Sequence, residues 1–202
     1  MLADELRAFR EFKKKYCFTL KELNDVNGIL YCDNLPLKDE QGNRIEETDI
    51  WVDCAYIFKN SLSKVLSNLF PYRFMFRGEE LNSIECFFQG IKFKDNDIQK
   101  LVFEYSGKDA YHLKATSDYD WRKTGLLYWQ GEPINRFSAD YENIVDELYV
   151  SAAQNPFYRQ ALIKTNKYIL HSIGGTNPNE TVLTRFEFEK EINTLSAFLK
   201  SL

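Results

Sequence analysis

The sequence predicts an α+β fold dominated by helices, and three observations lead there. Several segments place apolar residues at helical spacing behind recognisable cap residues. Strand-like runs are few and short, and turn residues bound each of them. No internal repeat is visible, so the chain reads as one layered α+β domain rather than an array.

The opening stretch LADELRAFREFKKKY has Leu2, Leu6, Phe9 and Phe12 near helical spacing, with acids early and lysines late, as a helix dipole favours. The run Lys13–Lys15 reads as a solvated helix end, a nucleic-acid contact being the other reading. GILYCDNLPLKDEQGNRIEETDIWVD breaks short apolar runs with Pro36 and Gln41-Gly42-Asn43, a strand-and-turn pattern. YRFMFRGEEL predicts a short hairpin turning at Arg77-Gly78. NSIECFFQGIK follows, and Ile84, Cys86, Phe87, Phe88 and Ile91 leave little of its helical surface suited to water, which predicts a buried helix. DNDIQKLVFEY predicts a helix with Ile98, Leu101, Val102 and Tyr105 on one face.

Residues 107–137 read as irregular. SADYENIVDELYVSAAQ is amphipathic, with Ser138 as N-cap and Tyr141, Ile144, Val145, Leu148, Tyr149 and Ala152 inward. Asn155-Pro156 opens the helix PFYRQALIKT. YILHSIGG is a short strand running into a glycine pair, and a final helix begins with Thr184 and Glu187 in capping-box register.

Composition bounds the function. The chain has 202 residues, 44% apolar and 28% charged, the profile of a soluble globular domain. Its 16 Phe and 12 Tyr serve a core or line pockets for flat ligands. A net charge of −4 excludes a global basic footprint, so any DNA contact is local. Cys17, Cys32, Cys54 and Cys86 form no C-x-x-C pair and read as reduced packing residues of a cytoplasmic protein. The two histidines lack ligand spacing, so no metal is expected, and no cofactor is implied. The charged N-terminus does not read as a signal peptide, and no apolar run approaches the ~18 residues of a membrane span.

Three constellations could carry chemistry. Glu85, Gln89 and Lys92 lie in one seam of the buried helix. In the ordinary reading Asn82 is an N-cap, Glu85 its capping-box partner and Lys92 a basic residue near the helix end. The other reading is a polar site, since buried charges must be paired or face a polar ligand. YWQGEPINRFS offers the aromatic pair Tyr128 and Trp129 as exposed, Gly131 for close backbone approach, and Arg136; an inward-packed loop is the alternative. LHSIGGTNPNETVLT offers Gly174 and Gly175 as a phosphate cradle or a plain turn, and His171 as a core histidine or a ligand contact.

LSNLFPYRFMFRGEELNSIECFFQGIKF resembles the opening signature of the NADAR family, named for a proposed link to NAD and ADP-ribose. YWQGEPINRFSADY, NPFYRQAL and LHSIG…ETVLTRFEF look like later blocks of one branch of that family, in order, over roughly residues 60–200. The resemblance implies a catalytic domain at 56–202 and an N-terminal extension at 1–55. His112-Leu113-Lys114 stands where many relatives carry Gly-Arg, so the cationic role would pass to Lys114. His171-Ser172-Ile173-Gly174 stands where many carry an Asp-containing block.

The resemblance implies an N-glycosidase that cuts a ribose–amine bond, and above all one that removes ADP-ribose from guanine in DNA, as an antitoxin or anti-defence enzyme. Its partners would be ADP-ribosylated DNA or an ADP-ribose-containing small molecule, and an ADP-ribosyltransferase toxin encoded nearby. The alternatives are a hydrolase of phosphorylated ribosylaminopyrimidines of the riboflavin pathway and a non-catalytic ADP-ribose or NAD module. Glu85 would stabilise the oxocarbenium-like charge or act as base, Gln89 would hold ribose hydroxyls, and Lys92 would pair or attack. Ser67, Asn68 and Phe70 of the opening signature, with His171 and Thr184 of the last block, would line the substrate. Tyr128 or Trp129 would stack on the base, and Arg136 with the Gly174–Gly175 loop would hold the diphosphate.

Overall fold

A computed structural model describes residues 2–16, 50–52, 65–105, 107–113, 120–165, 169–171 and 175–202. In chain order these hold α1 (Leu2–Lys15), β1 (Ile50–Val52), β2 (Phe74–Phe76), β3 (Glu79–Leu81), α2 (Ile84–Gly90), α3 (Asn96–Glu104), α4 (Gly107–His112), α5 (Trp121–Thr124), β4 (Leu126–Trp129), β5 (Glu132–Asn135), α6 (Ala139–Ala152), α7 (Pro156–Lys164), β6 (Ile169–His171) and α8 (Arg185–Ser201). The class is α+β with helices in the majority, as expected. Among the described residues no helix is long and apolar enough to cross a membrane.

Among the described residues strands pair in twos. β2–β3 and β4–β5 are antiparallel hairpins, and β1–β6 is a parallel pair in the register Ile50↔Ile169 to Val52↔His171. The first hairpin turns at Arg77 (φ 47°) and Gly78 (φ 88°), as the sequence predicts; two positive φ values make the turn that matches strand twist. The second hairpin is a departure. It turns the same way at Gln130 (φ 51°) and Gly131 (φ 85°), inside a region expected to be irregular. The helices α4 and α5 lie in that region too.

Helix α2 is the centre of the core. Ile84, Cys86, Phe87 and Ile91 are fully buried, each large apolar side chain stabilising by roughly 1.5–3 kcal/mol. Phe76 meets Phe87 edge-on at 5.2 Å and Trp129 at 5.0 Å, and Phe103 stacks on Trp129 at 5.5 Å. Tyr128 and Trp129 are both buried, which is the inward-packed of the two readings the sequence left open.

Helix α3 also docks on an unexpected face. Ile98, Leu101 and Tyr105 are exposed, while Gln99, Val102 and Phe103 are buried. The Gln99 amide decides the orientation: it donates to Phe93 O (2.6 Å) and Tyr128 O (2.8 Å) and accepts from Gln130 N–H (3.0 Å). Three backbone groups are satisfied by one side chain, which outweighs the burial of two aliphatics.

α6 buries Tyr141, Ile144, Val145, Leu148, Tyr149 and Ala152, the expected face, behind Ser138 as N-cap. Asn155 caps α7, with Pro156 in its first turn. Helix α1 packs across α6 and α8, with Phe9 fully buried 5.6 Å from Phe198. Lys13 is not a solvated end. It is clasped between Asp146 of α6 and Glu191 of α8.

Candidate active site

Ser83, not Asn82, is the N-cap of α2, its hydroxyl accepting from Cys86 N–H at 3.1 Å. This one-residue shift corrects the capping-box expectation, because Glu85 now falls at the second helical position. Asn82 is turned away, donating to Glu104 O at 2.5 Å. Glu85 is thereby released from capping duty and reaches along the helix. Gln89 donates to Glu85 Oε1 at 2.6 Å, and Lys92 donates to Gln89 Oε1 at 2.7 Å. A carboxylate, an amide and an amine form one hydrogen-bonded line on successive turns, with Gln89 buried and its two neighbours half-buried.

Lys92 is lowered from an ordinary 10.5 to about 8. Burial is the main cause, Glu85 opposes it, and the Arg122 guanidinium of α5 adds to the lowering by repulsion. The neighbouring Cys86 thiol is pushed up to about 11 by burial and is structural rather than nucleophilic.

Structural hydrogen bonds frame the line at both ends. The Asn68 carbonyl accepts the Glu85 N–H at 2.9 Å, and the Asn68 side chain accepts from Tyr149 OH at 3.0 Å. Ser67 Oγ accepts from Leu69 N–H at 3.1 Å and Phe70 packs beside the core, so the Leu-Ser-Asn turn is clamped at the start of α2. At the other end Tyr128 N–H donates to Ile91 O at 2.7 Å, tying β4 to the Lys92 end.

The remaining predicted contacts gather elsewhere. Arg136 is 3% exposed; it donates to Glu187 Oε2 at 2.6 Å and to Thr181 O at 3.4 Å, and lies over the Tyr141 ring at 4.4 Å. The same Glu187 completes the predicted capping box with Thr184, whose hydroxyl is spent on it. Gly175 O accepts from Arg185 N–H at 2.8 Å, while Gly174 and Lys114 lie outside the described residues. His171 is placed by its backbone N–H on Glu189 and its ring against Phe188 at 4.9 Å. Trp129 has its ring contacts in the core, and Gly131 serves the hairpin turn. Arg136, Gly175 and Thr184 hold the start of α8 together and His171 packs on the same helix, whereas Trp129 and Gly131 belong to the core and the second hairpin.

Sequence reasoning missed Arg122. The readable signal was DWRKTG: Asp120 caps α5 and Gly125 ends it at φ 69°. It also missed the cavity of about 380 Å³ between α1, α6 and the start of α8, lined by Lys13, Tyr141, Pro178, Phe186, Lys190 and Glu191 among others. Among the described residues no group of three His, Cys, Asp or Glu side chains could hold a metal ion.

A small α+β protein organised round a half-buried Glu–Gln–Lys line is the class that fold and site define. Residues 60–197 match the family described as bacteriophage protein GP30.3, and the chain belongs to that family. It is 32% identical over 148 residues to a 17.1 kDa protein of the Gp30–rIII intergenic region of Enterobacteria phage T4, covering 72% of this chain and 90% of the relative. No solved structure matches. These findings overturn the NADAR assignment: the blocks that suggested it lie within the segment matched by the phage family.

Proposed function

We propose that this protein is an N-glycosidase that hydrolyses the bond between a ribose anomeric carbon and an amine nitrogen, and that its substrate is ADP-ribose linked to guanine in DNA. The observation that carries the reading is the Glu85–Gln89–Lys92 line, in which a carboxylate and an amine of lowered proton affinity share one bridging amide. An amine at about 8 is still mostly protonated near physiological pH, but its neutral fraction far exceeds that of an ordinary lysine, and the neutral form can attack a carbon centre. Lys92 adds to the anomeric carbon as the substrate nitrogen departs. The lysine nitrogen sheds its proton to water and water supplies one to the leaving nitrogen, while Glu85, held apart from Lys92 by the Gln89 amide, stabilises the positive charge that develops at the anomeric carbon. Ring opening then gives a lysine Schiff base, which water hydrolyses to free the sugar and restore the amine. Gln89 has both its amide ends engaged, so it acts as a positioning residue that sets the spacing of the reacting pair.

Membership of a bacteriophage family supports an anti-defence setting for such an activity. The test is release of ADP-ribose from guanine-modified DNA by the purified protein, run beside a ribosylaminopyrimidine phosphate. Glu85→Ala and Lys92→Ala each lower the rate at least ~100-fold. Unchanged rates in both variants end the reading, and faster turnover of the pyrimidine reassigns the substrate. Saturable ADP-ribose binding without turnover would instead mark a sensor.

A further inference from the structure

Two buried carboxylates share one ammonium at the end of α1, where Lys13 Nζ holds both Asp146 Oδ1 and Glu191 Oε2. The two acids are not equally served. Asp146 also has Arg10 Nε 3.7 Å from its second oxygen. Glu191 is 2% exposed, and its second oxygen, Oε1, is buried with no hydrogen bond. A buried acceptor in that state is costly and calls for a donor.

Glu191 lines the cavity of about 380 Å³ between α1, α6 and the start of α8, which is large enough for a small organic molecule. Two further carboxylates line the same cavity. Glu187 receives its hydrogen bonds, from Arg136 and Thr184, on Oε2, so that Oε1 accepts none. Glu142 is exposed, and its carboxylate has no partner among the described residues. Against these acceptors stands the uncommitted ammonium of Lys190, whose Nζ lies 5.9 Å from the centre of the Phe186 ring. Unsatisfied acceptors outnumber donors here, so the cavity suits a cation rather than an anion.

The three acids do not converge as metal ligands would, for among the described residues no such group could hold a metal ion. Glu187 and Glu191 stand one helical turn apart on α8, about 5–6 Å between their Cβ atoms, and Glu142 comes to the cavity from α6. Val145 and the half-exposed ring of Phe186 add apolar wall. Carboxylates spread along a partly apolar wall match ammoniums spread along a methylene chain.

We propose that this cavity binds a linear aliphatic polyamine, one ammonium donating to Glu191 Oε1 and a second to the carboxylates of Glu187 and Glu142, with the methylenes against Val145 and Phe186. The assignment makes no use of the Glu85–Gln89–Lys92 line and stands apart from the glycosidase reading.

The experiment is calorimetric titration of the full chain with 1,4-diaminobutane, with butylamine and with Mg²⁺, in wild type, Glu142→Gln, Glu191→Gln and Lys190→Gln. Wild type binds the diamine saturably and about 10-fold or more tighter than butylamine, because the second ammonium binds within the same complex. Glu142→Gln and Glu191→Gln each lose about 5-fold or more, and Lys190→Gln gains about 2-fold as a repelling charge leaves. Glu142 is exposed and outside the Lys13 clasp, so its variant probes the site without disturbing the core. A wild type that binds no diamine, or binds it no more tightly than butylamine or Mg²⁺, overturns the proposal. Wild-type affinity in Glu142→Gln overturns it as well.

Discussion

Glu85 and Lys92 are joined through the amide of Gln89, which gives a hydrogen to one at 2.6 Å and takes one from the other at 2.7 Å. The bridge sets the separation of a carboxylate and an amine more firmly than a flexible surface ion pair would, because the amide itself is buried in the helix interface. Gln89→Met keeps the length and removes both bonds. The expected outcome is a fall in glycosidase rate of ~100-fold or more with stability lowered by about 1–3 kcal/mol, read by single-turnover kinetics and urea unfolding. A variant that keeps wild-type rate shows that the spacing is irrelevant to chemistry.

The Lys92 amine predicts two pH dependences. As attacking amine it must be neutral, so the rate climbs as pH rises through about 8, and borohydride traps a sugar adduct on Lys92. A rate that declines through that pH, with no adduct, assigns the ammonium instead. Stability follows the same group. Between about 8 and 10.5 the unfolded chain still holds a proton that the folded chain has released, so stability rises with pH across that window. In Lys92→Met the rise is flattened in thermal melts from pH 7.5 to 10.5.

Much of the fold was legible because local chemistry and tertiary packing agree. Ser138, Asn155-Pro156 and Thr184 with Glu187 start their helices where the caps stand, and Arg77-Gly78 turns its hairpin. Several of the misses share a cause: a polar group satisfied over long range. Gln99 is anonymous in a pattern of apolar spacing, yet its three backbone bonds turn α3 over. Lys13 looks solvated until Asp146 and Glu191 arrive from far along the chain. At the site, spacing along one helix was readable, whereas Ser83 displaced Asn82 as cap because the latter found Glu104 O. The Arg136 cluster was misplaced because Glu187 and Tyr141, which absorb its charge, are distant in sequence.

The Lys13 clasp makes its own prediction. Glu191 is pushed up to about 7, chiefly by burial, with Lys13 opposing and Asp146 adding to the rise. Between 4.5 and about 7 the folded chain keeps a proton that the unfolded chain has lost, so this group's contribution to stability declines as pH rises over that range. Lys13→Met leaves two buried carboxylates without their ammonium and costs about 3–5 kcal/mol at pH 8, and less at pH 5.5 where Glu191 is protonated. Glu191→Gln flattens the profile, since Asp146 retains Lys13. Thermal melts of the three proteins at both pH values decide it, and a Lys13→Met loss that does not depend on pH rejects the account.

Gly90 closes α2 against α3, and the approach admits no side chain. A Cβ there would stand 2.3 Å from Phe103 Cε1, and that ring is itself stacked on Trp129. The helical preference of alanine favours Gly90→Ala by at most ~1 kcal/mol, whereas the overlap forces Phe103 and α3 outward. The expected net loss is about 1–3 kcal/mol by urea unfolding. The displacement also loosens the contact by which α3, through Gln99, carries the Tyr128 backbone beside Lys92. Turnover therefore drops by more than the unfolded fraction explains. Gly90→Ala as stable as wild type would mean that α3 is not seated on α2 as described.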